Sequence, residues 1–431
     1  MKTFNVGVVG MGTVGAGVVK ILLGKNSPLK EKLGCIPLLK GVADRNPGAK
    51  NRVDLPSEIL YTDDAKVLLH NPDIQVIAEL IGGVHPAKEI IMQALESGKD
   101  VVTANKMLLA LHGSELFKKA RQCGKSISFE ASVGGGIPVI AAVRDGLIAN
   151  RIDSIFGIVN GTTNYILTKM TKENVKYSDA LAEAQRMGYA EKDPSMDVDG
   201  IDSSHKLAIL ARIGFGTDFD YKQIYCEGIS TIDLSDIRYA HELGYTLKLL
   251  AVAKRTEDYI ELRVHPTLLP NDHPLSTVNG VFNAICIHGD AVGETMLYGK
   301  GAGQMPTASA VVADLVDVGL GRADITFRAM KTFSGNCECI PIADILQIQT
   351  RYYLRFTVVD KPGVLAKISG ILGNYHISIA SVIQHESKEN GNVPLIMMTH
   401  SAEEGNLQKA LAEIKRLDVI KDSTRFLRVE E

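Results

Sequence analysis

Short apolar runs alternate with amphipathic stretches through the first third of the chain. The apolar runs predict buried strands at Phe4–Val9, Leu38–Ala43, Ile74–Ile81 and Asp100–Thr103. The stretches that fit helices are Gly12–Leu23, Pro86–Ser97 and Ser114–Cys123. Strands that alternate with helices favour a parallel sheet with right-handed crossovers, so this region predicts a doubly wound α/β fold.

The pattern becomes less regular between Ala131 and Gly303, where strands and helices mix as in an α+β domain. After it, Pro306–Gly319 is helix-like, because its apolar residues are spaced to share one face. Residues 321–350 contain Gly335 and Pro341 and show little periodicity, which is typical of a connector.

The last 81 residues, 351–431, have a rhythm of their own. Alternating runs predict strands at Tyr352–Val358, Ser378–His385, Asn392–His400 and Ile420–Val429. Helical spacing is found at Gly363–Asn374 and Leu407–Leu417. The resulting order is βαββαβ, which is the ferredoxin-like plan.

Composition removes several classes of protein from consideration. The formal net charge is −3 and the basic residues are spread along the chain, so we expect no nucleic-acid partner. No apolar stretch reaches the roughly 18 residues of a membrane span, and no signal-peptide pattern precedes Phe4, so we expect a cytoplasmic protein. The six cysteines are scattered, and the close pair Cys337 and Cys339 lacks partners at metal-ligand spacing.

A glycine-rich turn follows the first predicted strand and opens the first predicted helix. In this turn, Gly10-Met11-Gly12-Thr13-Val14-Gly15, Gly10 permits a tight bend and Gly12 lets the backbone approach a pyrophosphate. Gly15 allows the helix to pack closely on the strand. The N-terminus of the helix then offers N–H groups to the phosphates, which predicts a Rossmann-like dinucleotide site. A glycine-rich turn without function is the weaker interpretation.

Asp44 and Arg45 end the second predicted strand and bear on the choice of cofactor. An acid at this place bonds the ribose hydroxyls of NAD, whereas an arginine can contact the 2′-phosphate of NADP. Asp44 lies farther from Gly15 than the usual ~20 residues, which an inserted loop at 25–33 would explain. The sequence leaves NAD and NADP both open, as well as an exposed turn.

Two lysines are candidates for chemistry. Lys106 follows a strand in Thr103-Ala104-Asn105-Lys106, at the end of a parallel sheet where ligands bind. Lys206 lies four residues after Asp202 on a predicted helix, so the two side chains project from one face. A solvated Lys106 and an exposed ion pair between Asp202 and Lys206 are the ordinary alternatives, and the residue pattern alone does not decide between them.

Acidic residues are dense just before that helix, from Glu191 to Asp202. A substrate that carries an ammonium group needs a carboxylate partner, which these residues could supply, and an alcohol that is oxidised needs a proton acceptor such as Lys206. A solvated acidic loop explains the same pattern.

Six separated motifs, in order, resemble homoserine dehydrogenase over nearly the whole chain. They are Gly7–Gly15, Val101–Lys106, Phe129–Pro138, Gly157–Tyr165, Gly188–Lys206 and Gly299–Ser309. The resemblance implies reversible, NAD- or NADP-dependent hydride transfer between L-homoserine and L-aspartate 4-semialdehyde, on the route to threonine, methionine and isoleucine. It also implies a dinucleotide-binding domain at 1–130 completed by 304–320, and a catalytic and dimerisation domain at 131–303.

The resemblance assigns roles to individual residues. It implies that Lys106 and Lys206 are the catalytic lysines, with Lys206 as the acid or base on the substrate hydroxyl. The substrate-binding residues that it implies are Glu191, Asp202, Thr162, Tyr189 and Asp197. The cofactor contacts are Gly10, Gly12, Thr13, Val14, Gly15, Asp44, Arg45, Thr103, Lys106, Gly188 and Gly303.

The resemblance further implies a monovalent cation, usually sodium. Glu130 would supply a side-chain oxygen, and Val133, Gly135 and Ile137 their carbonyls. An oxygen shell with one carboxylate suits a hard cation. Without the resemblance, a plain glycine-rich turn would be preferred.

The tail resembles an ACT domain in the residues Asp360, Pro362, Gly363, Val364 and Leu365. ACT domains bind amino acids, commonly where two copies pair, so the resemblance implies a regulatory domain at 351–431 with threonine as effector. We expect a homodimer or homotetramer. No kinase segment precedes the dinucleotide motif, so a monofunctional member is expected.

Three alternatives stay open at this point. The chain could oxidise another small amino alcohol, or it could be a sensor built on a dehydrogenase that has lost its activity. The second is disfavoured because Lys106 and Lys206 are both present. A nucleic-acid regulator is disfavoured by the charge balance.

Overall fold

The computed structural model describes residues 2–24, 29, 32, 34–333, 339–384, 392–422 and 424–431. Cys337 and most of the expected insertion at 25–33 lie outside this range. The chain divides into two compact units. The first comprises Met1–Val159, Asp202–Lys222 and Phe282–Ile340, and the second comprises Asn160–Ile201, Gln223–Val281 and Pro341–Glu431.

A parallel sheet forms the first half of the first unit. Its strands are β1 (Lys2–Val9), β2 (Cys35–Ala43), β3 (Leu60–Thr62), β4 (Val76–Glu79), β5 (Asp100–Thr103) and β6 (Ile127–Ser128). The helices between them are Thr13–Leu23, Ala65–Leu69, Ala87–Glu96 and Lys106–Gln122. Within the described residues the order is β3-β2-β1-β4-β5-β6, and every pairing is parallel. The predicted Rossmann-like fold is confirmed, and the order reverses between β1 and β4, where such sheets bind ligands.

The first unit also contains an antiparallel group of strands and, in the described residues, three further helices of eight residues or more besides the short helix Val139–Ala141. The strands are β7 (Ile152–Ile158), β11 (Phe282–Gly289) and β12 (Gly293–Lys300), with β11 in the middle. The helices are Ile201–Phe215 (from Asp202 onward), Gln304–Gly319 and Arg322–Ala329. Gln304–Gly319 packs closely on Thr13–Leu23, since a Cβ on Gly17 would lie 2.8 Å from Ala308 Cβ. This late helix therefore shares the core of the N-terminal fold.

The second unit begins with helices around an antiparallel hairpin. The helices are Gly161–Glu173, Tyr177–Arg186, Ser195–Val198 and Leu234–Glu242. The strands are β8 (Tyr225–Cys226), β9 (Tyr245–Arg255) and β10 (Ile260–Pro270). The hairpin strands β9 and β10 pair along their full length, and most of their residues are buried.

The C-terminal part of this unit has the predicted βαββαβ order, which is confirmed. Its strands are β13 (Gln349–Val359), β14 (Ile379–Gln384), β15 (Asn392–Thr399), β16 (Ala402–Glu403) and β17 (Arg425–Val429). Its helices are Val364–Asn374 and Glu404–Ile414. The last strand, β17, pairs antiparallel with β13 and parallel with β10. One sheet therefore runs from the hairpin into the C-terminal domain.

Several elements differ from the predicted ones. The helix predicted at Ser114–Cys123 begins at Lys106, because Asn105 caps it by accepting a hydrogen bond from Leu108 N (3.1 Å). The short elements Leu60–Thr62 and Ala65–Leu69 have no counterpart in the prediction. The region predicted as a connector, 321–350, contains the helix Arg322–Ala329. In the described residues, no helix is both long and apolar enough to cross a bilayer.

Candidate active site

The glycine turn after β1 has the geometry that the motif predicts. Gly10 has φ +101°, and a Cβ on it would lie 2.7 Å from the carbonyl carbon of Leu80. A Cβ on Gly15 would collide with the carbonyl oxygen of Gly10. Side chains are therefore excluded at both positions, one by the turn and the other by the contact of the helix with the turn.

Gly12 differs from these two glycines, because a Cβ on it would meet open space. It precedes the helix Thr13–Leu23, whose N-terminus has no side-chain cap. A cavity of about 420 Å³ lies against the turn, lined by Gly10, Gly12, Asp44, Arg45, Ile81 and other residues of the first unit. Thr13 and Val14, as the first helical residues, start the helix beside it.

The carboxylate of Asp44 links the turn to the end of β2. Asp44 Oδ2 accepts a hydrogen bond from Met11 N (2.6 Å), and Oδ1 accepts one from Asn46 N (2.8 Å). The side chain of Arg45 is exposed at the cavity wall. Asp44 and Arg45, the two residues that bear on the choice between NAD and NADP, thus line the same cavity.

The two candidate lysines meet at one carboxylate in the first unit. Lys106 Nζ lies 2.7 Å from Asp202 Oδ1, and Lys206 Nζ lies 2.7 Å from Asp202 Oδ2. Lys206 Nζ also donates to the carbonyl of Val159 (2.6 Å). The sequence places these residues on two helices that are far apart along the chain, and the fold brings them together.

Burial distinguishes the two lysines. The side chain of Lys106 is 40% exposed, whereas those of Lys206 and Asp202 are 10% and 7% exposed. The sequence also allowed Asp202 and Lys206 to form an exposed ion pair on the helix surface, and the burial of both side chains excludes that alternative. Burial raises the pKa of Asp202, but the adjacent Lys206 and Lys106 outweigh it and hold that pKa well below its usual range. The carboxylate therefore stays ionised between the two lysines.

His205 lies beside this cluster in a neutral form. Burial lowers the pKa of its imidazole to about 4. The ring stacks on Tyr221, with centroids 4.9 Å apart, and Tyr221 Oη is 2.6 Å from Ser204 Oγ.

The remaining substrate-binding candidates lie in the second unit. Thr162 Oγ1 donates to the carbonyl of Tyr189 (2.6 Å), which brings those two residues together. Asn160, which caps the helix Gly161–Glu173, donates through Nδ2 to Asp197 Oδ1 (2.7 Å). Glu191 is exposed. Gly188 has φ +75° just before this segment.

Comparisons with known proteins decide the family. The homoserine dehydrogenase model matches residues 138–316, its NAD-binding domain model matches 10–130, and the ACT domain model matches 352–419. The homoserine dehydrogenase of Pseudomonas aeruginosa is 45% identical over 435 residues and covers 100% of both chains. The chain belongs to the homoserine dehydrogenase family. It is an NAD(P)-dependent oxidoreductase with a C-terminal ACT domain.

Solved structures of homoserine dehydrogenases agree with this assignment. That from Thiobacillus denitrificans superposes with a TM-score of 0.94 at 44% identity, over 100% of this chain and 99% of that one. A hyperthermophilic archaeal homoserine dehydrogenase mutant, described in complex with NADPH, has a TM-score of 0.63 at 28% identity. It covers 74% of this chain and 98% of its own.

The glycine-rich turn at 130–137, for which a cation is predicted, lies in the first unit. Glu130 accepts hydrogen bonds from Ile140 N (2.9 Å) and Ala141 N (2.8 Å), one on each carboxylate oxygen. The carbonyl of Ile137 accepts one from Val139 N (2.8 Å). A Cβ on Gly135 would lie 2.5 Å from the carbonyl oxygen of Gly301, so this turn packs tightly on the segment before Gly303. Gly303 has φ +125° and precedes the helix Gln304–Gly319.

The ACT loop borders a second cavity, of about 370 Å³. Its lining includes the predicted regulatory residues, Asp360, Pro362, Gly363, Val364 and Leu365, together with Gln384 and Leu395. Gly363 has φ +87° at the start of the helix Val364–Asn374, which is the left-handed turn that glycine adopts most readily.

Glu79 is a polar residue of the site region that the predicted set does not include. It is fully buried at the end of β4, beside Thr103 at the end of β5. Its only signal in the sequence is a carboxylate within the apolar run Ile74–Ile81. Buried carboxylates are rare without partners, so a glutamate within a predicted buried strand indicates a buried hydrogen-bond network at this position.

Proposed function

We propose that this enzyme transfers a hydride between C4 of L-homoserine and its nicotinamide cofactor, with L-aspartate 4-semialdehyde as the aldehyde partner. The observation that carries the proposal is the contact of Lys106 and Lys206 with the two oxygens of Asp202. A reaction that builds and removes negative charge on one oxygen needs cationic donors that are already in place.

The lysines differ in burial, and we assign them different roles. In the reducing direction, the aldehyde oxygen gains a proton from Lys206 as C4 gains the hydride. In the oxidising direction, neutral Lys206 takes the hydroxyl proton as the hydride leaves. Asp202 orients Lys206, and the more exposed Lys106 stabilises the charge on the substrate oxygen. The substrate roles of Glu191, Thr162, Tyr189 and Asp197 stay predictions.

For the cofactor, which supplies or accepts the hydride, we propose the cavity beside Gly10 and Gly12. Open space at Gly12 and the uncapped helix that follows suit a pyrophosphate. Asp44 suits the ribose of NAD, and the exposed Arg45 suits the 2′-phosphate of NADP. The archaeal relative in complex with NADPH supports NADP, and we propose NADP or NAD. Thr103 and Gly188 keep their predicted cofactor roles.

We also propose a sodium ion at the turn 130–137. Each carboxylate oxygen of Glu130 receives one backbone N–H and keeps a second lone pair for a cation. Oxygens of this kind, with carbonyls such as those of Val133, Gly135 and Ile137, match a hard monovalent ion. Calorimetric titration of sodium chloride against choline chloride tests this, and Glu130→Gln should weaken the sodium signal.

Threonine is the effector that we propose for the ACT cavity. The cavity beside Asp360 and Gly363 has room for an amino acid, and its lining offers a carboxylate for an ammonium group. Self-association as a homodimer or homotetramer stays a proposal, as do the domain limits 1–130 with 304–320, 131–303, 321–350 and 351–431.

The experiment that tests the reaction measures cofactor reduction by absorbance with a panel of alcohols. Homoserine is compared with 4-amino-1-butanol, which lacks the carboxylate, and with 4-hydroxybutyrate, which lacks the ammonium group. Each is assayed with NAD and NADP. We expect kcat/KM for homoserine to exceed that for either analogue by about 10- to 150-fold, since each analogue lacks one charged contact and such a contact contributes roughly 1.5–3 kcal/mol. Equal kcat/KM for either analogue contradicts the proposal.

A further inference from the structure

Glu79 accepts the first hydrogen bond of a chain that leads through Thr103 to Asn105, the residue before Lys106. Thr103 Oγ1 donates to Glu79 Oε2 (2.7 Å) and accepts from Asn105 N (3.0 Å). Asn105 caps the helix whose first residue is Lys106. Two hydrogen bonds and the peptide bond between Asn105 and Lys106 therefore connect a fully buried carboxylate to the lysine of the site.

The same carboxylate holds the turn after β4. Glu79 Oε1 accepts from Ile81 N (2.9 Å) and Gly82 N (3.3 Å). Asn105 Nδ2 donates to the carbonyl of Gly83 (2.6 Å), which ties this turn to the residue before Lys106. Ile81 lines the cavity beside the glycine turn. The cavity wall and the start of the lysine helix thus share one anchor.

The directions of these bonds fix the chemistry of the anchor. Thr103 Oγ1 donates its proton to Glu79 Oε2 and accepts from Asn105 N. Both oxygens of Glu79 act as acceptors from N–H or O–H donors. These bond directions fit the carboxylate form of Glu79, and burial raises the pKa of this group above its usual range. An amide at this position keeps one acceptor oxygen and replaces the other with an N–H group, so it cannot accept from both Thr103 and the turn at Ile81.

We propose that Glu79 is a positioning residue for hydride transfer, since its buried carboxylate holds the 81–83 turn and, through Thr103 and Asn105, fixes the start of the helix that carries Lys106. This rests on the proposed roles of Lys106 and of the cavity. Displacement of a reacting group by about 1 Å costs on the order of 100-fold in rate, so the anchor acts on turnover as well as on cofactor affinity.

The test uses the full-length enzyme and the variants Glu79→Gln, Thr103→Val and Thr103→Ser. We expect Glu79→Gln and Thr103→Val to lower kcat by about 10- to 100-fold and to raise the KM for the cofactor several-fold. Thr103→Ser keeps the hydroxyl and should retain activity within about threefold. The double variant Glu79→Gln/Thr103→Val should be no worse than Glu79→Gln alone, because both changes break one linkage.

The controls separate positioning from stability and from the proposed function itself. Glu58→Gln removes an exposed carboxylate of the same unit and should leave kcat and both KM values unchanged. Thermal unfolding shows whether each variant is folded at the assay temperature, and Thr103→Val decides the matter if Glu79→Gln is not. Wild-type kcat and cofactor KM in a folded Glu79→Gln or Thr103→Val variant overturn the proposal. Wild-type kcat in Lys106→Ala instead overturns the role of Lys106.

Discussion

Each unit contains a cluster of charged side chains, and the two clusters have opposite ratios of cations to anions. In the first unit, Lys106 and Lys206 share the single carboxylate of Asp202. In the second, the guanidinium of Arg428 binds both oxygens of Glu404 and also Glu227 (2.8 Å). The first cluster has two cations for one anion, whereas the second has two anions for one cation.

The clusters also differ in access. Lys106 is 40% exposed, whereas Arg428 and Glu404 are each 2% exposed and the outer member of their cluster, Glu227, is 33% exposed. A bidentate pair closed on all sides orients a strand, here β17, and has no room for a ligand. A cluster with one member open to solvent and an excess of positive charge can receive a developing oxyanion. The ratio of cations to anions therefore distinguishes the cluster that orients β17 from the cluster to which we assign catalysis.

The largest effect is expected from Lys206→Ala. Loss of the group that exchanges a proton with the substrate oxygen should lower kcat by about 10²- to 10⁴-fold. The first unit should remain folded, because Asp202 keeps Lys106 as a partner. Cofactor binding, measured by fluorescence titration, should survive. Lys119→Ala, which breaks a surface pair with Glu96, is the matched control, and near-normal turnover by Lys206→Ala would remove the catalytic role.

Glu404→Gln should do the opposite of Lys206→Ala: it should lower the stability of the fold and leave kcat nearly unchanged. It leaves Arg428 buried with one fewer anion, which costs about 3 kcal/mol of stability. The melting temperature should fall by several degrees, while kcat at a permissive temperature stays within about twofold of wild type. Glu96→Gln, at an exposed pair, should cost less than about 1 kcal/mol. If Glu404→Gln lowered kcat as strongly as Lys206→Ala, the division into structural and catalytic clusters would fail.

Acid should weaken the first cluster through His205. Burial lowers the pKa of its imidazole from 6.5 to about 4, so the unfolded chain takes up this proton at a higher pH than the folded one. Stability from this group is therefore complete above about pH 6.5 and is lost as the pH falls toward 4, by on the order of 3 kcal/mol. Melting temperatures measured across this range should fall less steeply in His205→Gln. The exposed His70→Gln should follow wild type, and an unchanged slope in His205→Gln would refute the assignment.

The sequence predicted the elements whose patterns are local. The glycine turn, the parallel order of the first strands and the βαββαβ tail follow from periodicity and from residues with special backbone geometry, such as Gly10. The helix from Lys106 was predicted to start eight residues too late, because its start depends on a cap by Asn105 that periodicity does not show. The pairing of β17 with β10 joins distant segments and has no local signal.

In the candidate site, too, the sequence showed the chemistry of single residues but not the contacts between distant segments. That Lys106 and Lys206 are chemically suitable is visible in the sequence, but their contact with one carboxylate depends on the packing of two helices. Asp202 was expected to bind the substrate ammonium, whereas here both of its oxygens accept from lysines. Whether it also binds substrate stays a prediction. The anchor Glu79 was outside the predicted set because its partners lie on a neighbouring strand and turn.

The smallest expected effect is on inhibition by threonine. The pairing of β17 with β10 decides which variant can test it. Truncation near Gln349 would remove β17, whose partner β10 belongs to the hairpin, so a loss of inhibition could reflect damage to the sheet. Asp360→Asn changes only a charge beside the ACT cavity. We expect millimolar threonine to inhibit the wild type, and the variant to need about tenfold more, the ratio that corresponds to roughly 1.4 kcal/mol. Lys367→Gln, outside the cavity lining, is the control. An enzyme indifferent to threonine, with cofactor and homoserine near their KM values, would leave the ACT cavity without this effector.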